Sequence, residues 1–280
     1  MKRFSPILLV VFVSCKEQGR SDKANSPKEL LERGFQSDAQ GNYRNSIRVY
    51  DSVLENESGN YIALVNRGRA KISLGDTTSG MLDLLASIRT HPTPQAFASR
   101  AMVEFNTNPP QALVDLQTGN KTIPGQSLLT SLLAHYYTAI DPLRDSAIYY
   151  ADYTCKLSIS TPTIYFPLMN TYLYFNDYIN LLRISDSIIT YFPKFPYAYN
   201  NRGMAEMYLG NITASKRDIQ TSIDLDSTNA WAYRNMSLVF EKIQEPDSSC
   251  RYIGIARQMD KKQQYQKDID SLVLRFCSNR

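Results

Sequence analysis

Apolar side chains along this chain fall three and four residues apart, in short runs broken by Gly, Asn and Pro. After Gly41 they stand at Ile47, Val49, Tyr50, Val53 and Leu54, one stripe of an α-helix. An earlier run from Pro27 stops at Gly41-Asn42, where glycine adopts positive φ at little cost and so ends a helix. Together the two runs predict a hairpin of helices, A then B. The arrangement returns with a period of 34 residues: Arg33-Gly34, Arg67-Gly68 and Arg202-Gly203 open matched blocks, and Gly41-Asn42, Gly75-Asp76 and Gly210-Asn211 follow each pair seven residues later.

Counted from Pro27, position 8 is Gly34 and position 15 is Gly41. The block from Tyr61 supplies Gly68, Gly75, Gly80 and a closing Pro92, and the block from Pro196 supplies Tyr199, Gly203, Gly210, Ser215, Ile219 and Ile223. This layout resembles the tetratricopeptide repeat. The resemblance implies that Gly34, Gly68 and Gly203 let helix A lie close against helix B. Four further blocks keep the frame in degenerate form. The one from Gln95 is a residue short and turns at Asn108-Pro109-Pro110; the one from Leu128 breaks at Asp141-Pro142 and has Ala147 at a small position. The one from Pro162 has Asn176-Asp177 for the Gly-Asn turn, and the one from Ala230 has Trp231, Tyr233, a Glu245-Pro246-Asp247 turn and Ile253. The expectation is an all-α fold, an α-solenoid of seven tetratricopeptide-like hairpins over 27–260.

A last helix is expected within 261–280, with Tyr265, Ile269, Leu272, Val273 and Phe276 on one stripe and Lys, Gln and Asp opposite. That suits a C-terminal capping helix closing the core of the array. The same stripe would also serve a helix that docks into another protein.

The N-terminus carries a different signal. Met1-Lys2-Arg3 is basic, Phe4 to Val13 is a short apolar stretch, and Ser14-Cys15 follows. The stretch is a secretory leader, too short for a membrane-spanning helix. A cysteine at its end resembles a bacterial lipoprotein signal. That implies cleavage after residue 14, lipidation of Cys15, and several acyl chains at ~0.8 kcal/mol per buried CH₂. Residues 15–26 have no apolar side chain larger than alanine beyond the cysteine and form a flexible tether. Lys16 stands where an Asp favours retention in the inner membrane of such lipoproteins, which leans towards the outer membrane of the envelope.

Composition narrows the reading further. The chain has 31 Lys and Arg against 27 Asp and Glu. Loss of Lys2 and Arg3 with the leader leaves 31 − 2 = 29 basic residues and a net charge near +2, without a basic run, so nucleic acid is not an expected partner. Catalytic signatures are missing: there is no phosphate-binding glycine loop, no nucleophile elbow and no H-E-x-x-H. Of the two histidines, His91 falls in a turn between repeats and His135 at the small position 8, neither in a metal-ligand spacing. No enzyme activity, metal or cofactor is expected. Besides Cys15 the thiols are Cys155, Cys250 and Cys277. A Cys250–Cys277 disulfide would staple the capping helix to the seventh repeat; unpaired buried thiols are the alternative.

Function is then a matter of surface. In tetratricopeptide proteins, positions 2, 5, 9 and 12 of helix A line the concave face, where a protein or peptide segment lies. Carried over, that face holds Phe166, Asn170, Leu173, Tyr197, Asn200, Met204, Met207, Trp231, Arg234 and Leu238, rich in the side-chain types that concentrate binding energy. Tyr199 and Tyr233 at position 4 are assigned to packing. A clamp for a C-terminal carboxylate, known in one subclass, would use Asn170, Asn201 and Asn235. Its basic residues are replaced here by Phe166, Trp231 and Asn235, so an apolar segment fits better. The expected role is a lipid-anchored protein-binding scaffold, in architecture similar to lipoproteins that assist outer-membrane assembly. A glycan-binding surface lipoprotein is the alternative.

Overall fold

The computed structural model describes residues 26–157, 161–260 and 265–277, and among these it holds fifteen α-helices, one 3-10 turn and no strand. Two compact units, 1–158 and 159–280, divide the chain. The first contains four hairpins: α1 (Pro27–Ala39) with α2 (Tyr43–Asn56), α3 (Tyr61–Ser73) with α4 (Thr77–Thr90), α5 (Pro94–Glu104) with α6 (Pro109–Thr122), and α7 (Ser127–Ala139) with α8 (Arg144–Lys156). In the second, a 3-10 turn (Pro162–Ile164) leads into α9 (Tyr165–Tyr174) with α10 (Tyr178–Tyr191). Then come α11 (Pro196–Tyr208) with α12 (Ile212–Leu225), α13 (Ala230–Lys242) with α14 (Pro246–Met259), and a final α15 (Gln266–Cys277). All seven expected hairpins form. The leader, Cys15 and residues 16–25 of the tether lie outside the described residues, as do 261–264 and 278–280 of the expected capping segment.

Local chemistry explains where helices begin and end. Ser26 and Glu29 form a reciprocal capping box at α1, and Asn42, Asn60, Asp76, Thr93 and Asp177 each accept a backbone N–H from the first turn that follows. Gly41, Gly75 and Gly210 end their A helices at φ of 71°, 91° and 92°, and Asn176 does the same work at 57°.

Helix A meets helix B at glycine. A Cβ on Gly68 would stand 2.8 Å from the Gly80 carbonyl oxygen, and one on Gly203 would stand 2.6 Å from Ile219 Cγ1 and 3.0 Å from the Ser215 carbonyl oxygen. Around these contacts the core is apolar, with Val49, Tyr50 and Val53 buried in the first hairpin and Ile219, Val239 and Ile253 in the last two.

A second tie is ionic and repeats with the frame. Arg67 forks onto Asp83 of its own helix B at 2.6–2.8 Å and reaches Asp51 of the preceding helix B at 2.7 Å. Arg202 repeats this with Asp218 and Asp186 at 2.7–2.9 Å. Arg100 makes the own-hairpin half, onto Asp115 at 2.6 Å. In the Arg67-Gly68 and Arg202-Gly203 pairs the arginine thus pins its hairpin while the glycine admits the close approach.

In the last hairpin, Cys250 and Cys277 form a disulfide that joins α14 to the end of α15. Ile269 and Leu272 of α15 are buried against Ile253 and Ala256. Closing a loop with a sequence separation of 27 restrains the unfolded chain by about 3 to 4 kcal/mol in the chain-entropy account.

Candidate partner-binding face

The A helices α9, α11 and α13 place the expected site residues at three different depths. Phe166, Tyr197, Trp231 and Arg234 are half-buried, and Asn170 is exposed. Asn200 and Met204 are not on a surface at all: they are 0% and 3% exposed, and Met207, also expected there, is 3% exposed. Asn200 accepts a hydrogen bond from Asn235 Nδ2 at 3.0 Å, and Met204 belongs to the core with Ile219 and Met236. These three are corrected from contact residues to packing residues, because positions 5, 9 and 12 of α11 sit where α13 packs beside it. Two of the three asparagines of the supposed carboxylate clamp are likewise engaged: Asn201 donates to the Tyr197 carbonyl at 2.9 Å and to the Met169 sulfur at 3.4 Å, and Asn235 donates to Asn200.

What the geometry does bring together is a set of rings. Phe166 lies 4.8 Å from Tyr197 and 5.4 Å from Phe195, both edge-to-face, and Phe195 lies 5.5 Å from Tyr197. Phe195, the residue before α11, was missed in the sequence because it precedes the repeat frame's first position. Burial and the Asp226 carboxylate push the Tyr197 hydroxyl pKa up, so this surface stays uncharged well above neutral pH.

Further along, Trp231 is already occupied. Tyr265 packs on it at 4.8 Å, and Arg234 lies over the indole at 4.6 Å while forking onto Asp268 of α15 at 2.8 and 3.4 Å. Tyr265 and Asp268 stand 34 residues beyond Trp231 and Arg234, so α15 continues the frame as helix A of an eighth, half repeat.

Tyr199 and Tyr233 hold the loops between repeats, each donating its hydroxyl proton to a carbonyl six residues earlier, Pro193 at 3.0 Å and Ser227 at 3.2 Å. His135 packs edge-on against Phe105 at 5.4 Å, and burial lowers its pKa. No cluster of three or more metal-ligating side chains occurs among the described residues.

A tetratricopeptide repeat protein from Parabacteroides merdae superposes with a TM-score of 0.62 at 15% identity, over 89% of this chain and 98% of that one. The fold is the tetratricopeptide-repeat fold. The C-terminal part of a repeat-containing protein from Cytophaga hutchinsonii matches with a TM-score of 0.54 at 12% identity, over 85% and 98% of the two chains. The hetero-tetramer Cut9-Hcn1 of the APC/C matches at 0.60 and 12% identity, over 90% of this chain but only 43% of the other. No protein-family model matches the sequence, and no curated protein matches it.

Proposed function

We propose that this chain is a lipid-anchored interaction scaffold of the bacterial envelope, which holds a protein or peptide segment along the A-helix face of its second unit. The observation that carries the reading is the triple of half-buried rings, Phe166, Phe195 and Tyr197, with centroids 4.8–5.5 Å apart and Phe166 edge-to-face with the other two. Rings held this way lose little conformational freedom on binding and offer a large apolar area, the property of interface anchors. The exposed Asn170 beside them supplies a hydrogen-bonding edge for a backbone. The repeat fold supports the assignment because a tetratricopeptide array exposes its A helices in register, and the matching Cut9-Hcn1 structure is itself an assembly of two proteins.

Envelope placement rests on the leader and Cys15, and the Cys250–Cys277 disulfide supports it, since structural disulfides persist in oxidising compartments. The membrane is approached through the N-terminal lipid, towards the outer membrane.

Affinity capture from the chain's own membranes, followed by titration of the captured protein against Phe166→Ala and Tyr197→Ala, tests the site. Each variant should weaken binding by about 2 kcal/mol, roughly thirtyfold, while Arg217→Ala on exposed α12 surface should not. Folded variants that bind like the parent would move the site elsewhere, and enrichment of glycans in place of protein would favour the glycan-binding alternative.

A further inference from the structure

We infer that α15 is a disulfide-latched cap that occupies the Trp231–Arg234 end of this face, and that a dithiol reductant releases it. This rests on the A-helix face being the binding surface. The contacts α15 makes are those a bound segment would make. Tyr265, immediately before α15, packs its ring on Trp231, and three residues later the Asp268 carboxylate of α15 takes the Arg234 guanidinium. The chain's own segment therefore shows what chemistry this end accepts: an aromatic residue just before a helix, followed three positions on by an acid in its first turn.

The hold of α15 apart from the disulfide is slight. It has 12 residues, a length at which an isolated helix is marginal in water. Ile269 and Leu272 are the two residues buried on it, and Val273 and Phe276 are partly buried against the same small cluster. Its other ion pairs, Arg257–Asp270 and Arg275–Glu241, are solvent-exposed and so contribute little. Both sulfurs belong to half-buried residues, within reach of an attacking thiolate. In the exchange, one thiolate of the dithiol attacks a sulfur of Cys250–Cys277, the mixed disulfide is resolved by its second thiol, and two cysteine thiols and the oxidised dithiol result. Trp231 and Arg234 then lose Tyr265 and Asp268 and face solvent or a partner.

Trp231 is the single tryptophan, so its fluorescence reports the cap directly. The experiment uses the full chain, oxidised and then reduced with dithiothreitol until both thiols titrate, with Cys277→Ser as the variant that needs no reductant. Reduction and the variant should each shift the emission to the red and raise acrylamide quenching by about twofold or more. Amide exchange should quicken across 266–277 while α13 stays protected, the signature of local opening. Unchanged fluorescence and exchange with both thiols free would overturn the latch, and so would loss of protection in α13, which would mean that the whole hairpin melts. No partner enters these measurements. A cap that opens while Phe166→Ala and Tyr197→Ala leave binding intact would therefore sink the proposed binding face and leave the latch standing.

Discussion

A glycine in this fold is required or dispensable according to what stands opposite it. Gly203 faces Ile219 and the backbone carbonyl of Ser215, which cannot retreat, whereas a Cβ on Gly254 within α14 would meet nothing within 4 Å. Gly203→Ala should therefore cost about 1 to 3 kcal/mol by overpacking. Gly254→Ala should stabilise by about 0.4 to 1 kcal/mol, because the helix loses a flexible residue and nothing is pushed aside. Opposite shifts in denaturant midpoint are expected, and shifts of the same sign would contradict the packing account. The two aspartates on Arg202 differ for a similar reason. The Asp218 side chain is 3% exposed and that of Asp186 is 54%. Arg202→Met leaves Asp218 buried without its counter-ion and should cost about 3 to 5 kcal/mol, while Asp186→Asn should cost under about 1 kcal/mol. These triads were legible in principle: Asp51, Arg67 and Asp83, then Asp186, Arg202 and Asp218, are each spaced by 16 residues. Reading for the apolar stripe and the turn passes over them, because an arginine on a helix resembles solvated surface until its partners are placed.

At the scale of the helix, the hairpins were legible because punctuation survives where packing positions drift. Asp141-Pro142 and Asn108-Pro109-Pro110 separate helices as surely as the Gly-Asn turns, since proline cannot continue a helix from within. The rotation of a helix about its axis was less legible. Frame positions placed Asn200 and Met204 on the right helix, yet whether a flank faces the groove or the neighbouring A helix depends on packing that no single repeat encodes. The third hairpin shows another consequence of packing between helices. Glu104 of α5 and Asp115 of α6 are 8% and 3% exposed with Arg100 between them, and Glu104 Oε2 and Asp115 Oδ2 have no hydrogen-bond partner among the described residues. Burial first, and then the Asp115 charge, push the Glu104 pKa up to about 7, and a proton on Glu104 supplies a donor for its neighbour. The sign follows from linkage. The unfolded chain ionises this carboxyl in the usual range, so its contribution is complete below that range and is lost as pH rises towards 7. The Glu104 contribution to the melting of the first unit should fall by a few degrees between pH 5 and pH 8, against the opposite trend from buried His135, on a scale where 1 kcal/mol is roughly 2 to 4 °C. Glu104→Gln should remove most of that difference; an unchanged pH profile in the variant would show that Glu104 is not its source.

At the scale of the whole molecule, the proposed lipid on Cys15 and the Cys250–Cys277 disulfide stand outside the repeat pattern. Within each unit the hairpins pack side by side, and no helix among the described residues is long and apolar enough to cross a membrane. In the proposed reading, membrane attachment belongs to the leader and Cys15, which the polar run joins to Ser26 at the cap of α1. Such an arrangement separates two free energies. Under that proposal, acyl chains on Cys15 would fix where the protein sits, at ~0.8 kcal/mol per buried CH₂, and the array would bind without contributing to anchoring. Cys15→Ser should accordingly leave the fold intact while moving the protein from the membrane fraction to the soluble one, with its thermal unfolding unchanged. Mass spectrometry of the parent should find the mature chain starting at an acylated Cys15. A parent that fractionates as soluble, or a serine variant that stays with the membrane, would show that the array itself makes the contact and that the lipid reading of this leader is wrong.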